Sequence, residues 1–159
     1  QYLESFITAV PEQSQEQTSK SDWVETSEPL DFPAGLPGFE EHKQFILESR
    51  ADLRPFLWLR SNRDREVAFP VISCLLLKKQ VLNHISEKQL ELLDNTSRSD
   101  IAPYYILRVD PTEGTITVNT KAPVIISTKT MQGYQVILDH EDLSVDVPLS
   151  DLLPSSGGA

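Results

Sequence analysis

The chain is short of the residues that most chemistry needs. It has a single cysteine, Cys74, in 159 residues, which excludes an internal disulfide and any multi-cysteine metal site. That cysteine lies inside VISCLLL, and so apolar a setting predicts a buried, inert thiol rather than a nucleophile. The three histidines, His42, His84 and His140, show no metal-ligand spacing, and no HExxH occurs. The triplet His140-Glu141-Asp142 reads as a solvated turn, not as a cation site. There is no GxSxG, no GxGxxG and no P-loop. No apolar run approaches the ~18–20 residues that span a bilayer. Carboxylates are plentiful but stand in no recognisable catalytic setting. These absences point away from an enzyme, from a cofactor and from a membrane.

Positive charge is also scarce. Fourteen Lys and Arg face 24 Asp and Glu, for a net charge of −10. The imbalance is uneven: residues 1–31 hold seven acids and one base, and residues 130–159 hold five acids and no Lys or Arg. A chain with so few bases argues against direct nucleic-acid binding, which needs Lys and Arg to displace counterions. It suits a basic protein partner, because complementary fields speed encounter. The lone cysteine fits the cytoplasm.

What is present is a β-protein. Residues 1–22 are polar, with PEQSQEQTSKSDWVETSE too poor in apolar surface to offset ordering entropy, and are expected to be a flexible segment. Residues 23–153 read as one domain, and residues 154–159 as a tail. Strands are expected at 43–48, 56–60, 66–73, 104–109, 115–119, 123–128, 134–138 and 144–149, with DWVET as a further short one. DPTEG at 110–114 and KTMQG at 129–133 are turn clusters, the latter with Gly133 placed for positive φ, and predict consecutive hairpins in a meander. Pro70 and Pro148 fall inside strands and predict an edge or a bulge there. SEKQLELLDN at 86–95 carries a capping box, Ser86 with Gln89, an apolar stripe of Leu90, Leu92 and Leu93, and Asn95 to close in αL. The expected fold class is all-β, mainly antiparallel and barrel-like, with one short helix.

Five pieces stand in order along this scaffold: GLPGFE at 35–40, PFLWLRS at 55–61, VAF at 67–69, ITVNTKAPVIIST at 116–128 and GYQVIL at 133–138. The spacing Asn119…Ala122-Pro123…Ile126, followed by Gly133-x-Gln135-x-Ile137-Leu138, is the most telling. This set resembles the flagellar assembly factor family, FliW, over about residues 30–150. The resemblance implies a binding protein, monomeric alone, that holds flagellin in the cytoplasm and antagonises the translational regulator CsrA, a basic RNA-binding dimer. It departs from the family pattern at SCLLLKKQVLNHI after VAF and at the polar DWVET. Residues marked for partner binding are Phe39, Glu40, Phe56, Trp58, Asn119, Pro123 and Gln135. Phe39, Phe56 and Trp58 are aromatic anchors that also make natural core residues. Strand alternation puts Phe56, Trp58 and Arg60 on one face, and Arg60 is expected to bring the end of that face near solvent. In GLPGFE, Gly35 and Gly38 supply backbone freedom, Pro37 fixes the bend, and Leu36 and Phe39 pin the loop to the barrel. Two alternatives stand beside the family: a general β-barrel chaperone or adaptor for another client, and a hydrolase using a carboxylate pair.

Overall fold

A computed structural model describes residues 23–25, 28–78 and 81–154. The expectations for residues 1–22 and for 155–159 of the tail lie outside them. The described residues form an antiparallel β-protein with one short α-helix. The strands are β1 (Trp23–Glu25), β2 (Leu30–Asp31), β3 (Gln44–Arg50), β4 (Leu57–Ser61), β5 (Ala68–Ser73), β6 (Ile101–Val109), β7 (Ile116–Val118), β8 (Val124–Ser127), β9 (Gly133–Gln135) and β10 (Val147–Pro148). The helix is α1 (Glu87–Leu90), which tightens into a 3₁₀ turn over Glu91–Leu93. Its capping box is present: the Ser86 hydroxyl accepts from the Gln89 amide, and the Gln89 side chain accepts from the Ser86 amide. Leu90 and Leu93 are buried while Leu92 stays 45% exposed, so the apolar stripe is narrower than expected. Both Asp94 and Asn95 adopt positive φ at its end.

The sheet runs β1-β3-β4-β5-β6-β7-β10, with β2 also on β3 and β8 also on β6. The expected run of hairpins is corrected here. DPTEG joins β6 to β7, and KTMQG joins β8 to β9, but β7 and β8 do not pair with each other. Tyr104 pairs with Ser73 of β5 and with Val124 of β8, so β8 lies opposite β5, on the edge of β6 that β7 also occupies. β7 and β8 are thus one arm laid along β6 and interrupted by NTKAP. From Leu107 to Tyr104 the register of β6 advances three residues while its partner advances six, from Val118 to Val124. NTKAP is an enlarged bulge.

Two apolar cores lie on opposite faces of the shared strands. Ile101, Tyr105 and Leu107 of β6 enter the first core, and Ala102, Tyr104 and Ile106 pack on the second. In β8, Ile125 serves the first, and Val124 and Ile126 the second. Burial on both faces explains why these strands read as continuous apolar runs rather than alternating ones. The first core is capped by Val81, Leu90, Leu93, Leu143 and Leu152. The second is closed by Leu30, Phe32, Leu36, Phe45 and Leu59. The sheet curls but does not close. A parallel bridge, Asp31 to Gln132, links β2 to the turn that enters β9, with the Asp31 amide donating to the Met131 carbonyl at 2.9 Å.

Two further expectations change. Gly133 has no positive φ; Met131 takes that conformation in the turn, at 59°. Gly133 is needed for space, since a Cβ there would lie 2.5 Å from the ring of Phe32. Pro148 sits in β10, the last strand of the sheet path, as expected of an edge. Pro70 sits in an interior strand, but β5 pairs with β6 only from Val71 onward, so the proline falls where the ladder is one-sided.

Candidate functional site

GLPGFE is a loop folded inward. The Phe39 amide donates to the Leu36 carbonyl at 2.7 Å, closing a turn with Pro37 and Gly38 at its centre. Gly38 has φ of 84°, as the third residue of a type II turn requires. Gly35 has φ of 65° and is also hemmed in, because a Cβ there would lie 2.6 Å from the Glu40 Cα. Leu36 is buried in the second core and Phe39 packs on it, with its ring 5.0 Å from that of Phe69 in an edge-on contact. Glu40 is exposed but turned back on its own loop: its carboxylate accepts from the Gly38 amide at 3.1 Å. That amide, then its own, hold the Glu40 carboxyl below the usual range. Leu36 and Phe39 therefore pin the loop as expected, and Phe39 keeps a partly exposed ring beside His42.

The NTKAP bulge collects three of the marked residues. The Asn119 side-chain oxygen accepts from the amides of Lys121 and Ala122, each at 3.1 Å. Thr120 is fully buried, and its hydroxyl donates to the Ser144 carbonyl and accepts from the Ser144 amide, both at 3.0 Å. Pro123 accepts from the Val136 amide at 3.0 Å, and the Gln135 side chain donates to the Ala122 carbonyl at 2.9 Å. Asn119, Pro123 and Gln135 thus meet at one structural latch between β8, β9 and the 144 turn. Phe39 and Glu40 lie in the other loop. Thr120 went unmarked, although its place between Asn119 and Pro123 is the signal that would have found it.

In the strand β4 region, Phe56 packs on the first core and Leu57 and Leu59 on the second, as alternation requires. Trp58 is 2% exposed. The expectation that Arg60 reaches solvent is corrected. Arg60 is 4% exposed, and its Nε donates to Glu48 Oε1 at 2.6 Å. The other Glu48 oxygen accepts from Arg65 at 2.6 Å, and Arg60 also donates to the Arg65 carbonyl at 2.6 Å. Glu48, directly across from Trp58 in β3, anchors a charge that sequence alternation alone left unpartnered. A buried ion is retained only with such partners.

No catalytic constellation emerges among the described residues, and none of their acids and histidines gather as a metal site. Among the described residues no helix is long and apolar enough to cross a membrane. Cys74 is buried, and desolvation pushes its thiol far above the usual range. Such a thiol is not a nucleophile.

The family model described as "FliW protein" matches residues 14–149. The chain belongs to the FliW family. The match reaches back ahead of GLPGFE to residue 14. The flagellar assembly factor FliW of Alkaliphilus metalliredigens is 34% identical over 119 residues, covering 74% of this chain and 74% of that protein. Its namesake in Thermosipho africanus is 32% identical over 131 residues, covering 80% and 89% respectively. A crystal structure of the flagellar assembly factor FliW superposes with a TM-score of 0.69 at 28% identity, spanning 84% of this chain and 91% of the other. The FliW fold and a part in flagellar assembly follow.

Proposed function

We propose that this chain is a cytoplasmic, non-enzymatic binding protein that holds flagellin and antagonises a CsrA-type translational regulator. Its partners exchange: flagellin occupies the protein while it accumulates, and export of flagellin frees the protein to bind the regulator and relieve repression of flagellin translation. FliW family membership carries this reading. The charge supports it, since a chain of net charge −10 complements a basic RNA-binding partner and repels RNA phosphate beside it. Phe39, Glu40, Phe56, Asn119, Pro123 and Gln135 are proposed to serve these contacts and Trp58, being 2% exposed, to support them from within, with the partly exposed Phe39 as the aromatic anchor and the Asn119 latch as the frame that sets loop shape.

A pull-down from lysate tests the reading. Flagellin and a CsrA-type protein should both be captured, and added flagellin should displace the regulator. Capture of neither sinks it. Binding of the regulator should also fall steeply as salt rises, because exposed charges are screened within about 10 Å at 0.1 M ionic strength. A flat response removes the electrostatic part alone.

A further inference from the structure

Most large apolar side chains are inside, but Ile137 is 69% exposed and Leu92 is 45% exposed. The two segments that carry them are joined at two points. The Gln89 side chain donates to the Ile137 carbonyl at 3.0 Å, and the rings of His84 and His140 lie 4.4 Å apart. Gln89 lies one helical turn before Leu92, on the same side of the helix. Around these residues acids predominate. Glu91 and Asp94 border Leu92, and Asp139, Glu141 and Asp142 follow Ile137, all of them exposed. Of the nearby bases, Arg98 is engaged by Glu87 at 3.0 Å, Lys88 is exposed on the helix, and Lys121 lies beside the second segment, its carbonyl accepting from the Leu138 amide at 2.8 Å, against five exposed acids. Exposed aliphatic groups inside an acidic rim are not explained by solubility, which needs the acids but not the isoleucine.

We infer that the face built by residues 84–94 and 137–142 docks a cationic protein segment that also presents aliphatic side chains. Charge complementarity selects the occupant. The acids attract and orient Lys or Arg, Ile137 and Leu92 receive the aliphatic groups, and nucleic acid is repelled. The inference rests on the reading that the partners are proteins, and it assigns the more basic of them to this face, away from Phe39 and Glu40.

The test is an NMR titration of the full chain with two synthetic amphipathic peptides, one of leucine and lysine and one of leucine and glutamate. The lysine peptide should shift the amides of residues 84–94 and 137–142. The glutamate peptide should not, and Ile137→Asp should weaken the lysine peptide at least tenfold. Ile137 is exposed, so that variant keeps its fold; unchanged amide dispersion checks this. Equal shifts with both peptides, shifts centred elsewhere, no shifts, or undiminished binding by Ile137→Asp overturn the inference. Capture of flagellin and the regulator by the wild-type chain stands or falls separately, in the pull-down.

Discussion

GLPGFE and NTKAP are both irregular stretches that hold shape, and they do it by opposite means. GLPGFE is pinned by apolar side chains driven into the second core, and its polar bonds are local. NTKAP is shaped locally by Asn119, which accepts from the Lys121 and Ala122 amides, and is latched by Thr120 and Gln135, whose bonds tie it to the 144 turn and to β9. The first is stabilised by burial, which is insensitive to direction; the second by bonds that fail unless each donor meets its acceptor. The glycines of the first loop divide in the same way, one confined by its neighbours and one by its own backbone alone.

Substitutions can break this contrast at graded cost, each read as the change in unfolding free energy by urea denaturation. Gly35→Ala should be the most damaging, at about 4 kcal/mol, because left-handed strain adds to a clash with Glu40 backbone. Leu36→Ala should cost about 3 kcal/mol, the usual range for emptying a buried leucine site. A loss under about 1 kcal/mol would show that core burial does not hold the loop. Thr120→Val keeps the shape and the bond from the Thr120 amide to the Ser144 carbonyl, but strands the Ser144 amide, and should cost about 2 kcal/mol. Equal stability of Thr120→Val and wild type would remove the latch from the argument. Gly38→Ala should be mildest, at about 1 kcal/mol, since nothing lies within 4 Å of the added Cβ and only its φ resists. If Gly38→Ala proves as costly as Gly35→Ala, the division between the two glycines is wrong.

Much of this was legible in the chain. The aromatic and β-branched runs locate the strands, and Ser86 with Gln89 locates the helix start, because these are local signals. Leu36 and Phe39 announce an inward loop, since two such residues have no use in an ordinary surface turn. The bulge was not legible as a bulge. Its three extra residues exist only relative to β6, and no local pattern records the register of a distant strand. For the same reason Asn119 and Gln135 stood out while their duty as latch residues did not. Arg60 was misjudged because alternation gives the face of a side chain but not its partner, and Glu48 lies 12 residues away on another strand. Gly133 invited a turn explanation when the cause is the Phe32 ring, 101 positions earlier in the chain and pressed against it.

β6 sends alternate side chains into two separate cores. Neither half of the molecule can therefore melt and leave the other intact, because loosening either core exposes one flank of the strand the other depends on. Thermodynamically the two cores behave as one cooperative unit. A partner that grips only the outer loops is read by the whole protein as added global stability, and its departure as the loss of it.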